Sequence, residues 1–228
     1  MACVLAARNR AKLEALAARL PRAVACPGDM TDPAMPERLV TAALEGFGRL
    51  DVVFNNAGVL TSALLTMTRV SDFDSLMAVN ARGTFLVMQQ ATKQMVRKRA
   101  GRIINCASIM GRSGAGGHVA YSAAKAAIAN FTQWLAVHMA TEYTPAIRVN
   151  AIAPGFFLTN QNRFLLTDEK TGALTPRGKT VTEHTPMGRF GSPDELLGAM
   201  FWLLSDASTF VTGVTIPVDG GFSAFSGV

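Results

Sequence analysis

Short apolar runs alternate with longer amphipathic segments along the chain. The apolar runs predict six strands, near residues 2–7, 22–26, 50–54, 102–107, 147–152 and 214–218. Apolar positions at helical spacing predict helices near residues 9–20, 33–46, 70–99, 120–142 and 192–205. Regular alternation of strand and helix favours a parallel sheet covered on both faces. The predicted fold class is therefore α/β, with a doubly wound parallel sheet.

One segment departs from this alternation. Residues 156–190 contain a polar cluster, a charged turn and a histidine, His184, between two core elements. A connection of this length is typical of a lid or a binding loop, and the alternative is a surface excursion. The length of 228 residues and the hydrophobic fraction of 49% suit one core. We therefore expect a single domain over residues 1–228, with a substrate lid at about 156–190.

Composition excludes several classes of protein. No apolar run approaches the roughly 20 residues of a membrane span, and the opening residues do not form a signal peptide. Three cysteines fit no metal-ligand spacing, and an odd number argues against a disulfide framework. We expect a cytoplasmic protein that uses neither a membrane nor a metal ion.

The net charge of +6 raises the question of a nucleic-acid partner. The basic residues are scattered, and the densest cluster, residues 97–99, ends a predicted helix where cations stabilise the helix dipole. We therefore expect no nucleic-acid partner. A positive balance suits an anionic cofactor and a small anionic substrate.

Three polar residues predict proton chemistry at a carbonyl oxygen. Tyr121 and Lys125 lie four positions apart in a predicted helix, so they share one face. A cation one turn away stabilises a phenolate, which lowers the pKa of a phenol from its ordinary value of about 10. Ser108 follows a predicted strand, where its hydroxyl could reach the same oxygen. A Tyr–Lys pair at this spacing also occurs by chance, so the other motifs of the chain must show whether this pair is catalytic.

These motifs occur in a fixed order along the chain. They are Asn55–Asn56–Ala57–Gly58 after a strand, Asn80 inside a helix, then Ser108, Tyr121 and Lys125, and Pro154–Gly155 with Thr159 after a later strand. In this order they resemble the short-chain dehydrogenase/reductase family, from about residue 2 to the C-terminus. The segments 130–138, 154–163, 184–191 and 218–223 resemble its D-mannonate oxidoreductase, or fructuronate reductase, group.

The resemblance implies a Rossmann-like fold and a nicotinamide-dependent oxidoreductase of the EC 1.1.1 type. It implies that Tyr121 is the general acid in reduction and the base in oxidation, and that Ser108 polarises the substrate oxygen. Lys125 would lower the pKa of Tyr121 and hold the nicotinamide ribose. Asn80 would bind a water that links Lys125 to solvent. The alternative for Asn80 is an ordinary helix-interior asparagine with local hydrogen bonds.

The resemblance also implies cofactor contacts at the carboxyl ends of the strands. The implied contacts are Asn55, Ala57 and Gly58 on the adenosine ribose side, Asp29 at the adenine, Tyr121 and Lys125 at the nicotinamide ribose, and Pro154, Gly155 and Thr159 at the carboxamide. Asparagines at these positions could also chiefly hold neighbouring strands together.

The choice between the two nicotinamide cofactors follows from charge. An acid after the family's second strand would pair with a ribose 2′-hydroxyl and repel a 2′-phosphate. That position is Ala7 in this chain, followed by Arg8, which can bind a phosphate through two parallel hydrogen bonds. NADP(H) is therefore favoured over NAD(H). The alternative is that Arg8 only caps the next helix.

One family feature has no counterpart in the sequence. Members begin with a strand and a T-G-x-x-x-G-x-G turn that holds the cofactor pyrophosphate, whereas the first strand here corresponds to the family's second. We expect an internal gap in the sheet with two unpaired edges. Either the numbered chain omits an N-terminal βα unit of about 30 residues, which we favour, or the protein is a truncated relic.

The lid contains candidate ligands for a sugar-acid carboxylate, which requires a planar cation beside amides that match hydroxyls. Arg163 is flanked by Asn160, Gln161 and Asn162, and Ser108 would contact the carbonyl. Further candidates are His184, Arg112, Arg189 and His118.

The expected reaction interconverts a keto sugar acid, such as D-fructuronate, with D-mannonate. The alternatives are a reductase of another polyol, gluconate or hydroxy acid, and a non-catalytic dinucleotide-binding relic. The apolar segment 195–204 and the last predicted strand offer more apolar surface than one sheet edge covers. Together with the resemblance, this predicts a homotetramer or a homodimer.

Overall fold

The computed structural model describes residues 1–114, 116–159 and 162–227, and its strands lie close to the predicted apolar runs. The strands are β1 (Cys3–Ala7), β2 (Ala23–Pro27), β3 (Val52–Asn55), β4 (Gly101–Cys106), β5 (Ile147–Pro154) and β6 (Thr215–Val218). The helices are α1 (Arg10–Ala17), α2 (Met35–Phe47), α3 (Val70–Met77), α4 (Thr84–Lys98), α5 (Val119–Glu142), α6 (Arg163–Leu166), α7 (Pro176–His184) and α8 (Leu196–Leu204).

Every pairing between these strands is parallel. β1 pairs with β2, and the other four strands follow the order β3-β4-β5-β6. The register places Asn55 of β3 opposite Asn105 of β4, so the ends of these strands meet at one edge. The predicted α/β fold with a parallel, Rossmann-like arrangement is confirmed.

The strands form two sheets rather than one. Within the described residues, β1 pairs only with β2 and β3 only with β4, so one edge of each has no strand partner. The predicted gap and its two unpaired edges are therefore present. Side chains of β1 and β2 are partly buried or exposed, whereas those of β4 and β5 are mostly buried. The four-stranded sheet is therefore the better packed of the two, and its strands β4 and β5 support the candidate site.

The helix predicted near residues 70–99 is confirmed, but it contains a π turn that was not predicted. A π-helical turn, Ala78–Gly83, separates α3 from α4. In this turn the side chain of Asn80 reaches Val59, and the Thr84 hydroxyl donates to the Asn80 carbonyl oxygen at 2.8 Å. A π turn adds a residue to a helix and is frequent at functional sites. The long-range partner of Asn80 is the feature that the local sequence pattern does not reveal.

A buried amide network joins three elements behind the candidate site. Nδ2 of Asn55 donates to Oδ1 of Asn105 at 2.8 Å, and Nδ2 of Asn105 donates to Oγ1 of Thr132 at 2.9 Å. Asn105 and Thr132 are fully buried, where polar groups need such partners. The network holds the ends of β3 and β4 against α5, the helix that carries Tyr121 and Lys125.

The apolar core covers the other side of these elements. The largest cluster packs α4 and α5 against β4 and β5, with Met95, Ile103, Leu135 and Val149 among its buried members. The three cysteines, at positions 3, 26 and 106, are free and partly buried. No helix in the described part of the chain is both long and apolar enough to cross a membrane.

The predicted lid segment has secondary structure of its own. It contains α6 and α7, and an antiparallel bridge between Thr167 and Leu174 closes the turn that joins them. The Thr175 hydroxyl accepts a hydrogen bond from the Gly178 amide at 3.0 Å and caps α7, with Pro176 in the first turn. The next predicted helix, near 192–205, begins with a 3₁₀ turn, Pro193–Glu195, and continues as α8.

Candidate active site

The structure brings Ser108, Tyr121 and Lys125 together at the carboxyl end of β4. Tyr121 and Lys125 share one face of α5, with Lys125 Nζ 5.6 Å from the centre of the Tyr121 ring. Tyr121 is half-buried and Lys125 is buried. Ser108 lies after β4, close enough to the Tyr121 phenol to lower its pKa. The predicted spacing thus yields a compact group of one phenol, one hydroxyl and one ammonium.

The Ser108 side chain is held by the turn that follows β4. Its oxygen accepts a hydrogen bond from the Met110 amide at 3.2 Å, as the cap of a 3₁₀ turn, Ile109–Gly111. The backbone amide occupies one lone pair and leaves the hydroxyl proton free to be donated. Ser108 is therefore oriented to donate a hydrogen bond to an oxygen that lies beside Tyr121.

Lys125 is anchored by the backbone of β4. Its ammonium donates to the main-chain oxygen of Cys106 at 2.6 Å. Burial lowers the pKa of Lys125, because a charged ammonium is less stable away from water. Burial also raises the pKa of the neighbouring Cys106 thiol. The Cys106 carbonyl thus fixes the ammonium over the face of the Tyr121 ring.

The expected lowering of the Tyr121 pKa is wrong for the protein alone. Burial raises the pKa of Tyr121 above its ordinary value, and the contact with Ser108 opposes only part of that rise. Burial disfavours the phenolate, and the lysine charge is directed at the Cys106 carbonyl rather than at the phenol oxygen. The spacing correctly predicted that Tyr121 and Lys125 are neighbours. It did not predict that burial would raise the pKa of Tyr121.

Asn80 is tied to the loop after β3 rather than to its own helix. Its Oδ1 accepts from the Val59 amide and its Nδ2 donates to the Val59 carbonyl, both at 2.8 Å. Asn80 is fully buried, and an ideal Cβ on Gly58 would lie 3.3 Å from its Oδ1. The alternative of purely local hydrogen bonding is therefore wrong. The water-binding role stays a prediction.

The candidate substrate ligands have different surroundings. Asn160 and Gln161 lie outside the described residues. The amide of Asn162 is engaged within the lid, since it accepts from Thr159 at 2.8 and 3.1 Å and donates to the Phe157 carbonyl at 2.8 Å. Arg163 is exposed in the first turn of α6. The structure therefore makes Asn162 a brace of the turn before α6, and its contact with substrate stays a prediction.

The remaining candidates are His184 at the end of α7, Arg189 after that helix, and Arg112 near Ser108. His184, at the end of α7, packs edge-on against Phe222 at 4.5 Å and against Phe225 at 5.2 Å between ring centres. Arg189 is exposed and paired with Glu195, so its charge is already balanced. Arg112 is exposed at the end of the 3₁₀ turn after Ser108. Substrate contacts of these residues stay predictions.

His118 lies at the start of α5, and its environment was not foreseen. It is 2% exposed, its Nδ1 lies 3.3 Å from the Thr61 carbonyl oxygen, and its Nε2 lies 2.8 Å from a guanidinium nitrogen of Arg177. Arg177 belongs to α7, 59 positions along the chain. The sequence around Arg177 carries no motif that marks it, because only the fold brings α7 to the start of α5.

Comparison with known proteins identifies the family. Residues 1–223 match the family described as enoyl-(acyl carrier protein) reductase. The chain is 39% identical over 239 residues to the uncharacterized oxidoreductase UxuB of Bacillus subtilis (strain 168), an alignment covering 98% of this chain and 84% of that protein. It is 36% identical over 193 residues to the 3-oxoacyl-(acyl-carrier-protein) reductase FabG of Thermotoga maritima, covering 85% of this chain and 74% of that one.

A solved structure agrees in fold as well as in sequence. The gluconate 5-dehydrogenase of Burkholderia cenocepacia J2315, in complex with NADP and tartrate, matches with a TM-score of 0.88 and 32% identity. The match covers 97% of this chain and 85% of the other. The chain belongs to the short-chain dehydrogenase/reductase family. It is accordingly an NAD(P)-dependent oxidoreductase, and the predicted enzyme class is confirmed.

The residues beside Lys125 fit the ribose of the nicotinamide cofactor of this dehydrogenase/reductase. Asn56, Ala57 and Gly58 are exposed at the end of β3. A Cβ on Gly58 would lie 3.8 Å from Lys125 Nζ and 3.3 Å from Asn80 Oδ1, so a larger residue would fill the space beside the ammonium. Glycine therefore keeps a hollow open in which the Lys125 ammonium can meet a hydroxyl of the ligand.

The segment after β5 is fixed at one point by a close backbone approach. A Cβ on Gly155 would lie 2.6 Å from the Cβ of Asp219, and the Gly155 amide donates to the Val218 carbonyl at 2.9 Å. Only glycine permits this contact between β5 and the turn after β6. Pro154 precedes it, and the Thr159 hydroxyl is bonded within the lid turn. Their contacts with the carboxamide stay predictions.

The adenosine side of the dehydrogenase/reductase is more open. Arg8 is exposed after β1. Asp29 accepts from the Thr31 amide and hydroxyl, both at 2.9 Å, and these bonds hold its pKa below the ordinary value, with a smaller effect from the Arg8 charge. The side chain of Asn9, rather than Arg8, caps α1 by accepting from the Lys12 amide. Arg8 is therefore not needed as a cap.

Proposed function

We propose that this dehydrogenase/reductase interconverts a six-carbon keto acid and its hydroxy acid, D-fructuronate and D-mannonate, with NADP(H). The observation that carries the proposal is the grouping of Ser108, Tyr121 and Lys125 next to a polar lid segment. When the carboxylate carbon is numbered 1, D-fructuronate has its ketone on carbon 5. The solved neighbour is named a gluconate 5-dehydrogenase and holds NADP and the hydroxy acid tartrate. D-mannonate and the gluconate of that enzyme's name would therefore be oxidised at the same carbon, carbon 5.

Tyr121 supplies the proton in this proposal. In reduction its phenol O–H gives a proton to the carbonyl oxygen, which becomes the alcohol hydroxyl, and in oxidation the phenolate takes the proton back. The Ser108 hydroxyl donates a hydrogen bond to the same oxygen and stabilises the charge that develops on it. The phenol is protonated at neutral pH, since its ordinary pKa is about 10 and burial raises this pKa further, which suits the direction of reduction.

Lys125 and Asn80 hold the surroundings of the phenol. The Lys125 ammonium, fixed by the Cys106 carbonyl, faces the hollow beside Gly58 and would bind ribose hydroxyls there. Asn80 fixes the Val59 backbone, which keeps Gly58 close to that ammonium. A reduced nicotinamide ring, when bound, supplies the hydride that adds to the carbonyl carbon.

The remaining cofactor contacts follow the strand ends. Ala57 would hold the adenosine ribose, with Asn55 fixed behind it, and Asp29 would lie at the adenine. Gly58, predicted on the adenosine side, instead borders the hollow proposed for the nicotinamide ribose. Exposed Arg8 has no carboxylate at hydrogen-bonding distance in the described residues, so it can bind a 2′-phosphate. This supports NADP(H) over NAD(H). Pro154, Gly155 and Thr159 would seat the carboxamide.

The substrate is proposed to lie between Tyr121 and the lid. Arg163, Asn160, Asn162 and His184 are the lid residues predicted to contact it. Reduction of 5-keto-D-gluconate is a second candidate activity, favoured by the solved neighbour. This acid also has its ketone on the fifth carbon and differs from D-fructuronate only in hydroxyl configuration.

A kinetic comparison tests the proposal. The purified protein is assayed with D-fructuronate, 5-keto-D-gluconate, D-fructose and a 3-oxoacyl thioester, with NADPH or NADH, by following the loss of the reduced cofactor. The proposal predicts the highest kcat/KM with D-fructuronate and NADPH. A higher value for 5-keto-D-gluconate would favour the second candidate. Equal turnover of uncharged D-fructose, or preference for the thioester, would contradict both.

The assembly is proposed to be a homotetramer built from dimers, in the cytoplasm. Two separate apolar surfaces are exposed. One is on α5 and contains Trp134 and Val137, and the other contains Phe201 and Trp202 of α8 with Phe210. Each surface can pair with its own copy around a two-fold axis, and two such axes generate a tetramer. The first of these surfaces was not foreseen from the sequence, which predicted the second.

A further inference from the structure

The contact between Arg177 and His118 joins the lid to the catalytic helix. The guanidinium of Arg177, in α7, lies 2.8 Å from Nε2 of His118, and His118 is 2% exposed. His118 Nδ1 faces the Thr61 carbonyl oxygen at 3.3 Å. Each ring nitrogen of His118 therefore has one partner, a backbone carbonyl or the lid arginine. These two contacts fix the orientation of the buried imidazole ring.

The partners determine which nitrogen of His118 carries the proton. A guanidinium has only donors, so Nε2 of His118 must accept. The ring proton is then on Nδ1, where it is donated to the Thr61 carbonyl. His118 is therefore a neutral acceptor toward Arg177. It orients the guanidinium without balancing its charge.

This distinguishes Arg177 from Arg189 and Arg69. Arg189 lies 2.7 Å from a carboxylate oxygen of Glu195, and Arg69 lies 2.8 Å from one of Asp72, so both charges are balanced within the chain. In the described residues no carboxylate lies within ion-pair distance of Arg177. Arg177 thus presents an oriented positive charge whose remaining N–H groups can bind an anion, where a planar fork binds a carboxylate well.

The position of this charge relative to Tyr121 is set by α5. His118 is the N-cap of α5, and Tyr121 lies three positions further, in the first turn of that helix. The Ala63 amide also donates to the Gly117 carbonyl at 2.9 Å, which fixes the backbone just before His118. Arg177 is therefore held at the end of α5 that carries Tyr121.

We infer that Arg177 binds the carboxylate of the substrate, and that the enzyme selects keto acids whose carboxylate and ketone are separated by several carbons. The inference rests on the proposed function and replaces Arg163 by Arg177 as the carboxylate ligand. Hexulosonates with the ketone on the fifth carbon have the required separation. A 2-keto acid does not, because its carboxylate adjoins the ketone.

The test compares charged and uncharged substrates across matched variants. Arg177→Ala removes the cation, Arg177→Lys keeps a charge without the planar fork, and Lys179→Ala removes an exposed charge from the same helix. Each is assayed with D-fructuronate, 5-keto-D-gluconate, D-fructose and pyruvate. The binding of D-mannonate and of uncharged D-mannitol is measured by calorimetry.

We expect Arg177→Ala to raise the KM for the hexulosonates about 10- to 100-fold, with kcat and the KM for D-fructose changed less than about twofold. Arg177→Lys should fall between wild type and Arg177→Ala, and Lys179→Ala should match wild type. D-mannonate binding should weaken with the KM, and D-mannitol binding should not. Pyruvate should be a poor substrate of every variant.

Different failures have different meanings. Wild-type protein that reduces neither hexulosonate overturns the proposed function and this inference with it. Wild-type protein that reduces them while Arg177→Ala keeps the same KM overturns the inference alone. A selective loss of hexulosonate binding in Arg163→Ala, with Arg177→Ala unaffected, also overturns it. An equal loss for D-fructose and D-fructuronate in Arg177→Ala would show a structural role instead and overturn it too.

Discussion

The Nζ atom of Lys125 lies 5.6 Å from the centre of the Tyr121 ring, one helical turn further along α5. The ammonium donates to the main-chain oxygen of Cys106 in β4 rather than to the phenol oxygen. In the protein alone burial raises the pKa of Tyr121, and Ser108 opposes only part of that rise. The proton donor of the proposed reaction is therefore a neutral phenol held beside a hydroxyl donor.

Replacing Tyr121 by phenylalanine tests the proton transfer. Tyr121→Phe should lower kcat by about 10²- to 10⁴-fold, because the general acid is lost while the ring and its packing remain. The measurement is steady-state reduction of the best hexulosonate with NADPH. Thermal unfolding of the variant serves as the control and should match wild type. A variant with more than about a tenth of the wild-type kcat would contradict the role of Tyr121.

The pKa of Tyr121 can be measured directly, because the chain has only two tyrosines. An ultraviolet titration of wild type minus Tyr121→Phe should show ionisation above the ordinary value of about 10, since burial disfavours the phenolate. Ser108→Ala should move it higher still, because the contact that lowers this pKa is removed. Ionisation below the ordinary value in the protein alone would contradict the proposed balance.

The same shift has a consequence for stability. A raised pKa means that the unfolded chain loses the Tyr121 proton first as the pH rises. The contribution is fully present below the unfolded value of about 10 and is lost as the pH rises through the folded value. The slope of the unfolding free energy above about pH 10 should therefore be less negative in Tyr121→Phe, as measured by urea denaturation. An unchanged slope would show that Tyr121 is not desolvated.

Asn80 is expected to matter for stability as well as for activity. Asn80→Ala removes both hydrogen bonds to Val59 from a fully buried site, which should lower the unfolding free energy by about 2–3 kcal/mol. Asn130→Ala, at an exposed position of α5, is the matched control and should stay within about 0.5 kcal/mol of wild type. Equal effects of the two substitutions, measured by urea denaturation, would rule out the bracing role.

Arg8 should decide the choice of cofactor. Arg8→Ala should weaken NADPH binding about tenfold and leave NADH binding within about twofold, because only NADPH carries the 2′-phosphate. Fluorescence titration with each cofactor measures this. Arg10→Ala removes a nearby arginine that pairs with Glu14, and it should change neither affinity. Parallel loss of both cofactors in Arg8→Ala would assign Arg8 a structural role.

The two apolar surfaces should separate the steps of assembly. Trp134 is 63% exposed and Phe201 is 55% exposed, so a charge at either position should disrupt its interface without disturbing the core. Light scattering after gel filtration should show dimers for Trp134→Glu and for Phe201→Glu, and monomers for the double variant. Leu16→Glu, on α1, is the control and should remain a tetramer. A tetramer of the double variant would place the interfaces elsewhere.

The elements of the fold could be predicted from local patterns, and most of the catalytic group followed from spacing. The strands from β1 to β6 are short apolar runs, and the one-turn separation of Tyr121 and Lys125 holds in any α-helix. The π turn at Ala78–Gly83 could not be predicted in this way. It depends on a partner of Asn80 that is 21 positions away.

The sequence by itself determined the order of strands and helices and the residue types that can move a proton beside a carbonyl. Only the tertiary structure decided that burial raises the pKa of Tyr121, that Lys125 is held by Cys106, and that Arg177 faces His118. Desolvation and charge balance depend on groups that are distant along the chain and adjacent in space, so they exist only once the chain has folded.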